Sequence, residues 1–267
     1  MRFLLACAAS LALAACASGI SASRAADPAR DGPTVILEAG LGDGAASWRS
    51  LRAALPDNLP VFTWSRAGYR GGAVGTLIGG GPLWPSDGDG RRTGAEIAGH
   101  LRSKLAEAGV PPPYVLVGHS IGANYVLSFA KAYPGEVAGL VLVDPRLPGF
   151  TRSCKAEGLR PCEIPPLLAA LLSPAERAEI RGLDQTEADL ADLSAIRDIP
   201  LTILTAERGS PTKDPRMRAL WQAQAVRFAE RFTHARHIVV AGSGHYIHRA
   251  EPQRVAAEIL SMVRAIR

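Results

Sequence analysis

The chain has 267 residues, enough for one large α/β domain with a modest insertion, and its 47% apolar and 21% charged content describes a globular protein with a sizeable core. A formal charge of +5, with scattered arginines and no aromatic-interleaved basic patch, argues against nucleic-acid binding and leaves only weak attraction to anionic surfaces.

Arg2 is followed by an apolar run from Phe3 to Ala15, too short to span a bilayer as a mature helix, ending in Leu13-Ala14-Ala15-Cys16. Leu, two small residues and Cys resemble the lipobox of bacterial lipoproteins, in which Cys16 would be lipidated and become the mature N-terminus. The resemblance implies an exported protein, lipid-anchored in a bacterial envelope membrane and facing the periplasm. Ordinary signal cleavage, after Ala17 or near Ala25-Ala26, is the alternative and would give a soluble periplasmic or secreted protein. Residues 1–15 read as a signal peptide, 16–32 as a flexible tether and 33–267 as the folded domain.

Thr34-Val35-Ile36-Leu37 is a buried-type strand running into Glu38-Ala39-Gly40-Leu41-Gly42-Asp43-Gly44, where glycine density allows backbone to approach a ligand closely. A short helix is expected from Ser47 to Leu55, then a strand, Val61-Phe62-Thr63-Trp64, leading into Ser65-Arg66-Ala67-Gly68-Tyr69. The stretch from Gly71 to Arg92 is a long glycine-rich loop in which Leu83 and Trp84 either line a site or pin the loop to the surface. Thr93 to Gly109 carries apolar residues at spacing four and reads as a helix.

Val115-Leu116-Val117-Gly118-His119-Ser120-Ile121-Gly122 then reads as strand, sharp turn and helix with Ser120 at the apex. Gly139 to Val143 is another buried strand, halted by Asp144-Pro145. Residues 146–198 break the alternation with prolines and short helical pieces, including a capping box at Ser173-Pro174-Ala175-Glu176, and read as an inserted helical cap. In an exported protein, Cys154 and Cys162, with seven residues between them, are expected to form a disulfide. A zinc-site fragment is the rival reading, which no nearby His or Cys completes. A strand at 200–204, a helix at 216–232, a strand at Ile238-Val239-Val240, the turn Gly242-Ser243-Gly244-His245 and a closing helix at 253–266 complete the chain. Strands alternating with helices predict a mostly parallel sheet covered on both faces.

Gly118-His119-Ser120-Ile121-Gly122 fits the nucleophile elbow of the α/β-hydrolase superfamily, and the order of elements over residues 33 to 267 resembles that fold. The chain looks like the group whose early strand ends in Glu-Ala-Gly-Leu-Gly and whose next strand leads into Arg-Ala-Gly-Tyr. The resemblance implies a serine hydrolase that cleaves a carboxylic ester of a small molecule through a covalent acyl-enzyme, as a monomer and without cofactor or metal. An acyltransferase or amidase on the same scaffold is the alternative, and a non-catalytic envelope binding protein with this fold is the rival from another class. Ser120 is the implied nucleophile and His245 the base, with His248 as its nearest competitor. His119 is expected to point away from the serine. For the acid, Asp144 is favoured, and Glu207 and Asp214 stand near the position most members use. The oxyanion donors are implied to be the backbone N–H groups of Leu41 and Ile121. Many members carry His-Gly before the first of these, whereas this chain has Ala39-Gly40, which makes Glu38 a candidate brace for the loop.

Overall fold

A seven-stranded sheet organises the chain, in the order β1-β3-β2-β4-β5-β6-β7, where β1 is Ser21–Ser23, β2 Thr34–Glu38, β3 Val61–Thr63, β4 Tyr114–His119, β5 Val137–Val143, β6 Leu201–Ala206 and β7 Ala235–Val240. The computed structural model describes residues 21–23, 32–69, 89–209 and 214–266. Strands β2 to β7 pair in parallel, as the β-α alternation requires. Strand β1 lies within the stretch read as a tether and pairs antiparallel with β3, occupying backbone groups that would otherwise form an open edge.

Alternate strand residues divide the core into two layers. Ile36, Leu116, Leu140, Leu142, Leu201 and Ile203 face helices α2 (Gly94–Glu107), α3 (Gly122–Ala132) and α7 (Pro215–Ala229). Val35, Val115, Val117, Val141, Val143 and Leu204 face α1 (Arg49–Ala54), α8 (Ile247–Ala250) and α9 (Pro252–Ala265). A sheet buried on both sides needs apolar residues at every position rather than at alternate ones, which is why its strands read as continuous apolar runs.

Between β5 and β6 the chain forms α4 (Phe150–Ala156), α5 (Pro166–Ala169) and α6 (Pro174–Asp189). The expected capping box starts α6: Ser173 Oγ accepts from the Glu176 N–H and the Glu176 carboxylate accepts from the Ser173 N–H. A second one, which the sequence reading did not single out, starts α2 with Thr93 and Glu96. Cys154 and Cys162 are joined in a disulfide that ties α4 to the following loop. Helix α6 is stitched to the body, since the Gly94 N–H donates to Thr186 Oγ1 at 2.8 Å and a Cβ on Gly182 would lie 2.2 Å from the Arg92 carbonyl oxygen.

Candidate active site

Parallel strands send all their carboxyl ends to one edge of the sheet, so the loops after β2, β4, β5 and β7 converge there. Ser120 follows β4 with φ +54°, and Asp144 follows β5 with φ +41°. Among the described residues these are the two non-glycine positions in the left-handed region, where strain of about 1–3 kcal/mol persists only if the surroundings impose it. The turn at Ser120 is imposed by close packing. A Cβ on Gly118 would lie 2.8 Å from Ala123 Cα, and one on Gly122 would lie 2.5 Å from the Ala39 carbonyl oxygen. The Ser120 N–H donates to the Val143 carbonyl at 3.2 Å, and the Arg146 N–H donates to the Ser120 carbonyl at 3.0 Å, so the two strained turns brace each other.

His245 stands on the turn after β7, and its Nδ1 donates to Asp144 Oδ2 at 2.7 Å. A carboxylate only accepts, so the proton sits on Nδ1 and leaves Nε2 of the neutral ring as an acceptor. Asp144 is fully buried and also accepts from the Ala206 N–H at 2.9 Å and from Arg218 Nη1 and Nη2 at 2.6 and 3.1 Å. Burial alone would raise its pKa, but the hydrogen bonds and charges of His245 and Arg218 outweigh burial and hold the carboxyl below its ordinary value. Glu207 instead accepts from the Gly242 N–H at 2.8 Å, and Asp214 caps α7 through the Arg216 N–H at 2.9 Å. Of the three carboxylates named from sequence, Asp144 is the one bonded to His245.

His119 Nε2 donates to the His245 carbonyl oxygen at 3.0 Å, holding the histidine turn against β4. His248 is buried, with its ring 4.3 Å from Trp48 and 4.5 Å from His119. Burial, with Arg249 and His245 nearby, pushes its pKa down to about 3, and burial likewise holds His119 well below its ordinary value, so both rings are neutral. On the other flank of His245, Trp221 lies edge-on at 6.0 Å and packs on Phe150 at 4.6 Å. With Met217, Leu220 and Cys154 these form an apolar wall between α4 and α7.

The β2 loop lies beside the serine, since a Cβ on Gly40 would approach Ser120 Cβ to 3.3 Å. The backbone N–H groups of Leu41 and Ile121 make no hydrogen bond among the described residues. Glu38 does brace this loop: it accepts from Trp64 Nε1 at 2.7 Å and from Arg66. Sequence reasoning missed Arg66, Glu179 and Arg218, buried charged groups whose partners lie far away along the chain; a charged residue inside an apolar helical face, as Arg218 is, was the available signal. Cys16 and most of the Gly71–Arg92 loop, including Leu83 and Trp84, lie outside the described residues. Among the described residues no three His, Cys, Asp or Glu side chains are grouped as metal ligands, and no helix is long and apolar enough to cross a membrane.

The family model described as "Alpha/beta hydrolase family" matches residues 35–258. The chain is 34% identical over 116 residues to "Uncharacterized protein YqjL" of Bacillus subtilis, covering 43% of this chain and 41% of that one. It is 36% identical over 124 residues to "Putative carbamate hydrolase RutD" of Klebsiella pneumoniae, covering 46% and 42%. The matched stretch thus spans less than half the length of either relative. A thermophilic esterase from Thermogutta terrifontis superposes with a TM-score of 0.61 at 19% identity, over 88% of this chain and 90% of that one, a likeness of fold.

Proposed function

The chain belongs to the alpha/beta hydrolase family, and from that premise we propose that it is a serine hydrolase acting on a carboxylic ester through a covalent acyl-enzyme. The observation that carries the reading is the Asp144–His245 hydrogen bond of 2.7 Å beside Ser120, with backbone strain at both Ser120 and Asp144. Ser120 Oγ attacks the ester carbonyl carbon while His245 Nε2 takes its proton. The oxyanion is met by the Leu41 and Ile121 N–H groups, and the intermediate collapses as His245 protonates the departing alcohol. Water then repeats the sequence on the acyl-enzyme, releasing the acid and restoring Ser120. Asp144 holds the imidazole tautomer and stabilises the imidazolium. The apolar wall of Phe150, Leu220 and Trp221 supports an apolar acyl or alcohol group beside His245.

Labelling by a fluorophosphonate probe tests the reading. Wild type is expected to label and Ser120→Ala to stay unlabelled; equal labelling of both, or of neither, sinks the mechanism. Export with a lipid on Cys16 belongs to the same proposal, supported by the apolar run from Phe3 to Ala15 and the Leu-Ala-Ala-Cys ending. Mass analysis of the mature N-terminus is expected to find a lipidated Cys16, and an unmodified terminus further along would refute it.

A further inference from the structure

We propose that Arg66 is the positioning residue of the oxyanion site, aiming the Leu41 N–H by holding the loop carbonyls behind it, and that Glu179 of α6 anchors Arg66 in that pose. The proposal rests on the serine-hydrolase reading above. Arg66 is 2% exposed, a cation that burial penalises unless every donor is engaged. Its Nη1 donates to the Ala39 carbonyl oxygen at 2.8 Å and to Glu38, its Nη2 to the Gly40 carbonyl oxygen at 2.8 Å, and its Nε to Glu179 Oε1 at 2.8 Å. Two of these acceptors are consecutive backbone carbonyls of the loop that borders Ser120.

A trans peptide is planar, and its C=O and N–H point in opposite directions. The Gly40 carbonyl accepts the shorter bond from Arg66, at 2.8 Å, and a longer turn bond from the Asp43 N–H at 3.3 Å, so the Leu41 N–H of the same peptide unit is turned away from Arg66. Among the described residues it has no partner, as an oxyanion donor must in the resting site. Gly40 itself is pressed between this peptide and the serine, where a Cβ would meet His119 Nδ1 at 2.9 Å and Ser120 Cβ at 3.3 Å. The chain thus holds this loop with a guanidinium clamp from the segment that follows β3.

Glu179 fixes the clamp from the far side. It is fully buried and also accepts from Tyr69 Oη at 2.8 Å, Tyr125 Oη at 3.1 Å and Arg92 Nη1 at 3.4 Å. Tyr125 belongs to α3, the helix that starts at the elbow, so one carboxylate of α6 ties together the clamp, the elbow helix and the loop after β3. Glu38 and Glu179 face Arg66 and Arg92 in one buried site, where burial raises the Glu38 pKa to about 7 against the pull of the Arg66 charge and the Trp64 hydrogen bond.

The test uses the full-length protein, a p-nitrophenyl ester, and a phenylboronic acid whose tetrahedral Ser120 adduct puts an oxygen at the oxyanion position. Lysine keeps the charge of Arg66 but offers a single ammonium that cannot span two carbonyls in a fork. Arg66→Lys is expected to lower kcat about a hundredfold with KM within about threefold, and to weaken the boronic acid by a comparable factor. Glu179→Gln, isosteric and outside the loop, is expected to lower kcat about tenfold with KM likewise held. It carries the test if Arg66→Lys does not fold by circular dichroism. A folded variant of either kind with wild-type kcat and boronic-acid affinity overturns the proposal, as does a loss confined to KM or to melting temperature. Failure of wild type itself to label at Ser120 would instead remove the hydrolase reading on which it rests.

Discussion

Asp144 accepts from the His245 ring, both arms of the Arg218 fork and the Ala206 amide, in a position water does not reach. Replacing one carboxylate oxygen with an amide nitrogen would set a donor against these donors and release the imidazole tautomer. Asp144→Asn is therefore expected to lower kcat by about a thousand- to ten-thousand-fold. It also leaves Arg218 with an uncompensated charge, at a stability cost of about 3–5 kcal/mol, so rates should be compared where the variant is folded. Glu207→Gln and Asp214→Asn, which alter a turn contact and a helix cap, are expected to stay within about threefold of wild type. Near-full activity in Asp144→Asn would remove that residue from the mechanism. His248 is buried, and its ring nitrogens have no hydrogen-bond partner among the described residues. Its folded pKa of about 3 lies below its ordinary 6.5, so the unfolded chain binds the extra proton between these values. The stability tied to its neutral ring is present above pH ~6.5 and is lost as pH falls toward ~3, amounting to ~3 kcal/mol by pH 4. In urea melts the loss of unfolding free energy between pH 7 and pH 4 should be larger in wild type than in His248→Phe by that order. Parallel pH dependence in the two would show that His248 titrates normally.

Helix α6 meets the chain just ahead of α2 at Gly182. An alanine in place of an interior helical glycine ordinarily stabilises by about 0.8–1 kcal/mol. At Gly182 the new Cβ would lie 2.2 Å from the Arg92 carbonyl oxygen and 2.5 Å from its carbon, backbone atoms that cannot step aside. The clash outweighs the propensity gain. Gly182→Ala is expected to destabilise by about 1–3 kcal/mol and to lower kcat by loosening the Glu179 anchor, read from denaturant midpoints and ester turnover. A stabilised variant would mean that α6 is not held against α2 as described. Ser173→Ala, which removes one half of the capping box, is expected to cost about 1 kcal/mol without the loss in kcat, and the pair separates helix stability from helix placement. The existence and type of these elements were readable in the sequence because periodicity, caps and turn glycines act within a few residues. The capping box of α6 and the elbow glycines are examples.

At the scale of the whole molecule, six parallel strands bring the ends of β2, β4, β5 and β7 to one edge, so residues from 38 to 245 share a single site. The alternation of buried strands and helices, the serine turn between Gly118 and Gly122, the histidine after the last strand and the cysteine pair were all legible in the residues. Each of these is written in local spacing. The fold selected Asp144, favoured among three carboxylates, as the partner of His245, although it lies 101 positions away while Glu207 and Asp214 are nearer in sequence. It likewise decided that Arg66 clamps the Ala39 and Gly40 carbonyls and is held by Glu179, 113 positions distant. Such pairings depend on strand order and register, which follow from packing the whole sheet, and no local pattern of residues encodes them.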